Sequence, residues 1–259
     1  MPIETIRGEP FHVRIDGPAD APVLMLSNSL GTNLSMWDPQ IPEWSKSFRV
    51  LRYDSRGHGQ STAPDRPYTI AELADDALAI LDHFGIERAH WCGLSKGGMV
   101  GQWLASHAGH RLGRVVLANT SAQMGPPSLW DERIKTVRTA GMSVLVPGIL
   151  ERWFSKAFRE RDQETVAKVS AMLEATSAQG YAGCCAAIRD MDQRETIRGV
   201  TNPVLVIVGG LDPATPPATG QLITEAIKGA RLVELDAAHL SNLEQPAAFT
   251  KAVLDFLNA

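Results

Sequence analysis

The 259-residue chain has little of what marks a secreted, membrane-spanning or nucleic-acid-binding protein. Cysteine is scarce: three in all, two of them the adjacent Cys184 and Cys185. That count supports no disulfide framework and fits reduced thiols in a cytoplasmic protein. No apolar run approaches the roughly 18 residues that a membrane helix needs. The opening Met-Pro-Ile-Glu-Thr-Ile-Arg lacks the basic-then-apolar order of a secretory leader. A formal net charge of −4, with no block of like charge, leaves no electrostatic footprint for nucleic acid or an anionic membrane. Internal repeats and low-complexity tracts are missing as well. The hydrophobic fraction of 44% and charged fraction of 21% are those of an ordinary globular protein. Its length suits one large α/β domain with room for an inserted subdomain.

Short continuous apolar runs punctuate the chain at Pro22–Ser27, Phe48–Asp54, Arg88–Leu94, Arg114–Thr120 and Asn202–Gly210. Each suits a strand covered on both faces. Residues 11–16 alternate like a half-exposed strand, and Arg231–Asp236 reads as the last strand. Apolar positions at Ile70, Leu73, Ala74, Ala77, Ile80, Leu81 and Phe84 predict a helix. Thr69 with Glu72 predicts a capping box at its start, and Gly85 its stop. Residues 122–195 contain no convincing strand and several helical stretches, at 131–140, 150–157 and 162–176. Helices are expected again near 217–228 and over 246–257. The alternation predicts an α/β fold, a mostly parallel doubly wound sheet. Its core would be residues 1–121 and 196–259, with 122–195 a helical cap inserted between two sheet strands.

Gly93-Leu-Ser-Lys-Gly97 lies where a strand hands over to a helix, the context of a nucleophile elbow. The turn strains the backbone at Ser95, and Gly93 and Gly97 leave clearance where a Cβ would collide. A serine hydroxyl needs an adjacent base, usually a histidine held in one tautomer by a buried carboxylate. In this motif the order along the chain is Ser, acid, His. Of seven histidines, only His239 follows the last strand, on a loop at the carboxyl ends of the strands. Asp212, two residues past the run that ends at Gly210, is the expected acid. Asp236 competes, but its position three residues from His239 is poorly suited to supporting the imidazole from behind.

An oxyanion needs donors as well. The backbone N–H of Lys96 is expected to be one, and that of Leu30 the other, with Ser29 as its nearest alternative. The Lys96 ammonium is read as reaching either solvent or an anionic substrate. Cys92, in the strand before the elbow, reads as a buried structural thiol. His58 has no second histidine or cysteine spaced to complete a metal site, so its loop reads as structural.

Asp54-Ser-Arg-Gly-His-Gly-Gln-Ser61, Gly93-Leu-Ser-Lys-Gly-Gly98, Gly210-Leu-Asp-Pro-Ala-Thr-Pro216 and Ala238-His-Leu-Ser-Asn-Leu-Glu-Gln-Pro246 together resemble the α/β-hydrolase superfamily over essentially the whole chain. Within it, the chain is most similar to the 3-oxoadipate enol-lactonases of bacterial aromatic catabolism. Asn28-Ser-Leu-Gly-Thr-Asn33, Met36-Trp-Asp-Pro-Gln40 and Tyr181-Ala-Gly-Cys-Cys-Ala-Ala-Ile-Arg-Asp-Met-Asp192 carry that narrower likeness. Many relatives have His-Gly at the oxyanion loop; here it is Ser29-Leu30-Gly31, which removes a histidine side chain from the site. The resemblance implies hydrolysis of 3-oxoadipate enol-lactone through an acyl-Ser95, with no metal and no organic cofactor. Such a small-molecule substrate carries a carboxylate. Residues 122–195 hold ten basic and ten acidic side chains, so one placed cation must select the anion. Arg133 is the expected carboxylate ligand, three residues from Trp130 on one helical face, with Trp130 and Trp153 lining the pocket. A general carboxylesterase, with incidental perhydrolase activity, would use the same machinery on neutral esters. A ligand receptor on this scaffold is the reading of a different class, distinguished by slow or no turnover. Haloalkane dehalogenation needs a carboxylate nucleophile, and position 95 is serine.

Overall fold

The runs rich in Val, Ile and Leu pair into one eight-stranded sheet in the computed structural model, which describes residues 3–259. Met1 and Pro2, where the segment read for a leader begins, lie outside the described residues. The strands are β1 (Ile3–Ile6), β2 (Glu9–Asp16), β3 (Val23–Ser27), β4 (Arg49–Tyr53), β5 (Ala89–Leu94), β6 (Leu112–Ala118), β7 (Val204–Gly209) and β8 (Arg231–Leu235). Their order across the sheet is β1-β2-β4-β3-β5-β6-β7-β8. The pairs β1–β2 and β2–β4 are antiparallel, and all other neighbours are parallel. All of β7 is buried, as a parallel strand covered on both faces requires. Strand β1 was not foreseen in the sequence; it is a short edge strand whose burial is slight. The expected alternation of β2 fails at His12, which is buried because its Nδ1 bonds the Asp54 carboxylate at 2.7 Å.

The helices are α1 (Ile41–Trp44), α2 (Ile70–His83), α3 (Lys96–His107), α4 (Pro127–Ala140), α5 (Val146–Trp153), α6 (Lys156–Arg161), α7 (Gln163–Ala175), α8 (Ala178–Asp190), α9 (Pro217–Ala226), α10 (Ser241–Glu244) and α11 (Pro246–Leu257). Helix α2 starts where its cap predicts: the Thr69 hydroxyl accepts the Glu72 N–H at 3.1 Å. Only half of the expected capping box forms, because the Glu72 carboxylate is drawn off to Arg66. Gly85 follows the helix end at φ 65°. Among the described residues no helix is long and apolar enough to cross a membrane.

Five helices, α4 to α8, occupy the chain between β6 and β7. Three of them, α5, α6 and α8, depart from the sequence reading. The stretch at 150–157 is split: α5 begins earlier and ends at Trp153, Phe154 is extended, and the Ser155 hydroxyl caps α6 through the Phe158 N–H. Helix α8 was unforeseen. It carries Gly180 and Gly183 and shows no apolar stripe, because residues 180–188 are all buried. Its glycines allow backbone to lie on backbone: a Cβ on Gly180 would collide with Gly57, and one on Gly57 with Gly180. The helix is thereby seated directly on the loop after β4.

Candidate active site

Ser95 joins β5 to α3 with φ 56° and ψ −114°, a left-handed conformation that costs a serine about 1–3 kcal/mol. Its surroundings hold it there. The Ser95 N–H donates to the Ala118 carbonyl at 2.9 Å. The Ser95 carbonyl accepts the Thr120 hydroxyl at 2.8 Å and the Met99 N–H at 3.0 Å. A Cβ on Gly93 would meet the backbone of Gly97 and Gly98, and one on Gly97 the Ser27 carbonyl. These are backbone obstacles that cannot rotate away. Gly97→Ala is therefore expected to lower unfolding stability by about 1–3 kcal/mol, measured by urea denaturation, and to reduce kcat as the turn shifts.

The Asp212 carboxylate sits just after β7, on a loop that wraps it with donors. Oδ1 accepts the N–H groups of Ala214 at 2.8 Å and Thr215 at 3.0 Å. Oδ2 accepts the Thr215 hydroxyl at 2.7 Å and the Asn119 amide at 3.0 Å. It also meets His239 Nδ1 at 2.8 Å. Burial alone would raise this carboxyl's pKa. The imidazole, the Thr215 hydroxyl and the Thr215 N–H outweigh it, holding Asp212 below its ordinary value. An ionised carboxylate can only accept, so the proton of the neutral imidazole sits on Nδ1 and leaves Nε2 with its lone pair. Asp236, the competing acid, is exposed, and its carbonyl, not its carboxylate, accepts a bond from Gln245 at 2.9 Å.

Three supporting residues were missed in the sequence. Thr215 lies three residues past Asp212 and touches both it and His239 Nδ1, the latter at 3.2 Å. Asn119, at φ 43°, ends the β6 segment and braces the Asp212 carboxylate, the Ala238 carbonyl at 3.2 Å and the Ser241 hydroxyl at 2.5 Å. A polar residue at the carboxyl end of a central strand was its available signal. Glu244 carried no clear signal, because its partner Ser155 is 89 residues away. Its buried carboxylate accepts the Ala238 N–H at 3.1 Å, the Ser155 N–H at 3.2 Å and the Ser155 hydroxyl. Beside it, the Leu240 N–H donates to the Trp153 carbonyl at 3.1 Å. The His239 loop and the α5–α6 corner are thus bonded together, with the Trp153 ring 5.8 Å from the imidazole.

Lys96 is the first residue of α3, where an amide N–H has no partner within the helix. Leu30 reaches the same cavity as Ser95. Ser29, the alternative donor, directs its N–H to Met36 Sδ at 3.4 Å. The Lys96 side chain follows neither expected course. It is buried and donates to the Ser55 hydroxyl, and burial lowers its pKa. Cys92 is fully buried, which raises its thiol pKa and suits a structural role.

Ser95, His239, Thr215 and Leu30 open into a cavity of about 420 Å³ whose other wall comes from the inserted helices. Trp130, Arg133 and Trp153 all line it, as expected, and Arg152 joins them. The Arg133 guanidinium lies 5.2 Å over the Trp130 ring and donates to the Tyr181 hydroxyl at 3.4 Å. The Arg152 guanidinium makes no hydrogen bond or ion pair among the described residues. Burial, then the neighbouring Arg133, push its pKa below the ordinary value. Two guanidiniums in one cavity, neither ion-paired, repel each other and favour an anionic guest. Arg152, in the last turn of α5, was missed in the sequence reading.

Residues 22–246 match the family model described as alpha/beta hydrolase fold. The chain is 46% identical over 237 residues to 3-oxoadipate enol-lactonase 2 of Acinetobacter baylyi, covering 92% of this chain and 89% of that protein. To 3-oxoadipate enol-lactonase 1 of the same organism it is 37% identical over 253 residues, with 98% and 95% covered. The crystal structure of the enol-lactonase from Burkholderia xenovorans LB400 superposes with a TM-score of 0.98 at 47% identity, both chains fully covered.

Proposed function

The chain belongs to the α/β-hydrolase fold family, and from that premise we propose that it is a serine hydrolase opening 3-oxoadipate enol-lactone to 3-oxoadipate. In this reading Ser95 is the nucleophile, His239 the base and Asp212 its orienting carboxylate. His239 Nε2 takes the hydroxyl proton as Ser95 Oγ attacks the lactone carbonyl. The backbone N–H groups of Leu30 and Lys96 receive the oxyanion. Collapse of the adduct breaks the acyl–oxygen bond and expels an enolate; the His239 imidazolium gives its proton to that leaving group, which becomes the ketone, and His239 is neutral again. Water, giving up its proton to His239, then attacks the acyl-serine; the C–O bond to Ser95 breaks, Ser95 Oγ takes that proton back from His239, and the acid leaves. No metal or organic cofactor enters these steps. The helices at 122–195 serve as a cap that supplies the substrate contacts. The three buried free thiols support a reducing, cytoplasmic setting.

One observation carries the choice of substrate. The cavity that joins Ser95 and His239 also holds Arg133 and Arg152, neither paired with a carboxylate. An anion placed between them gains charge-assisted hydrogen bonds worth roughly 1.5–3 kcal/mol each. Arg133→Ala and Arg152→Ala should each raise KM for the acidic lactone about 10- to 100-fold and leave p-nitrophenyl acetate hydrolysis nearly unchanged. Equal losses on both substrates would remove the carboxylate assignment. Wild-type steady-state kinetics test the substrate itself. A specificity constant for the enol-lactone no better than that for p-nitrophenyl acetate would make the protein a general carboxylesterase.

A further inference from the structure

The loop Asp54–Ser61, which follows β4, touches both walls of the oxyanion site. His58 Nε2 accepts the Gly31 N–H at 2.7 Å. With Nε2 an acceptor, the ring proton is on Nδ1, which donates to the Arg56 carbonyl at 3.1 Å. The ring is buried, and burial first and the Lys96 ammonium second lower its pKa well below the ordinary value. From the same loop, the Ser55 hydroxyl receives the Lys96 ammonium. The Asp54 carboxylate accepts the Leu34 N–H at 2.7 Å, holding the far end of the Leu30 turn.

Gly31 has φ 83° and, lacking a side chain, cannot fix its own peptide plane by packing. Its two polar groups are fixed from outside instead. The N–H goes to His58, and the carbonyl accepts the Thr176 hydroxyl at 3.1 Å. The Leu30 backbone therefore cannot turn without parting a buried bond. The Lys96 ammonium donates to the Ser55 hydroxyl, so the same loop anchors the residue whose amide opens α3.

We propose that the Asp54–Ser61 loop is a clamp that sets the Leu30 and Lys96 N–H groups against each other, with His58 and Ser55 as positioning residues. This deepens the proposed function and rests on its assignment of those two donors. Donors aimed at charge that develops during reaction act on the transition state more than on bound substrate. Loosening the clamp thus lowers kcat and leaves KM nearly unchanged.

The test uses His58→Leu, which removes the acceptor for Gly31, and His58→Gln, whose side-chain carbonyl replaces it. Ser55→Ala releases Lys96. Each is assayed with p-nitrophenyl acetate and with phenylboronic acid, which mimics the tetrahedral adduct on Ser95. His58→Leu should lose about 10- to 100-fold in kcat, with KM within about twofold and boronate affinity falling in parallel. His58→Gln should recover most of the loss, and Ser55→Ala should show a smaller loss of the same kind. A folded His58→Leu with wild-type kcat and boronate affinity overturns the clamp, as does a loss confined to KM. If His58→Leu does not fold, Ser55→Ala decides: unchanged boronate affinity overturns the proposal, and weakened affinity at constant KM supports it. Failure of the underlying reading looks different. Boronate would then bind Ser95→Ala as tightly as wild type.

Discussion

Ser95→Ala is expected to abolish turnover of both lactone and ester, with kcat falling about 10⁴- to 10⁶-fold. The residual rate would come from binding and the oxyanion donors alone. The substitution leaves the elbow intact, because alanine meets the same backbone obstacles at φ 56° as serine does. The melting temperature should therefore move by only a few degrees. Steady-state kinetics, with mass spectrometry of a quenched reaction, give the decisive pair of measurements. Wild type should carry an acyl mass on Ser95 and the variant none. Activity within tenfold of wild type in Ser95→Ala would eliminate the nucleophile assignment.

Asp212→Asn should cost about 10⁴-fold in kcat while substrate affinity holds. The amide cannot satisfy both sides of this site. Oδ1 faces two backbone donors, from Ala214 and Thr215, so the asparagine carbonyl must stay there. Its NH₂ is then forced into the Oδ2 position, where it confronts the Asn119 amide and the imidazole. His239 Nδ1 can answer only by becoming an acceptor, which moves the ring proton to Nε2 and removes the lone pair that serves Ser95. Stability changes with a definite sign. The folded pKa of Asp212 is depressed, so its stabilising contribution is complete above the unfolded carboxylate value and is lost as pH falls through the folded one. Asp212→Asn should thus be less stable than wild type near neutrality, with the gap closing in acid. Urea titrations at several pH values measure this, and a gap that widens in acid would contradict it.

The parts of the fold legible in the sequence are those governed by local rules. Buried parallel strands read as continuous apolar runs, α2 carries its own cap and stop, and the Ser, acid, His order needs only strand ends. Helix α8 was hidden because a helix buried nearly all round has no amphipathic stripe, and its Gly180 serves close approach to Gly57, not helix propensity. Long-range polar partners were equally invisible. Glu244 meets Ser155 across 89 residues, and His58 meets Gly31 across 27, with nothing in either segment to announce the pairing. The Lys96 side chain was misjudged for a related reason. A lysine beside an elbow serine looks like a charge at the site's edge, and only the packed β4 loop gives it somewhere dry to go. Arg133 was within reach because Trp130 shares its helical face; Arg152 had no such neighbouring signal, and only the packed α5 brings it to the cavity.

The bond set around Glu244 has a consequence for traffic through the site. Ala238 and Ser155 are held by one carboxylate, and Leu240 by the Trp153 carbonyl, so the His239 loop and this corner of the helical layer are bonded into one unit. A door swung from here would carry the imidazole away with it and disarm the site each time it opened. The opposite border carries no such burden. There Gly125 and Leu129 line the cavity, Leu129 is 60% exposed, and nothing lies within 4 Å of where a Cβ on Gly125 would stand. The exposed rim of the cavity therefore lies on the α4 side, away from the bonds that tie the His239 loop to Ser155 and Trp153.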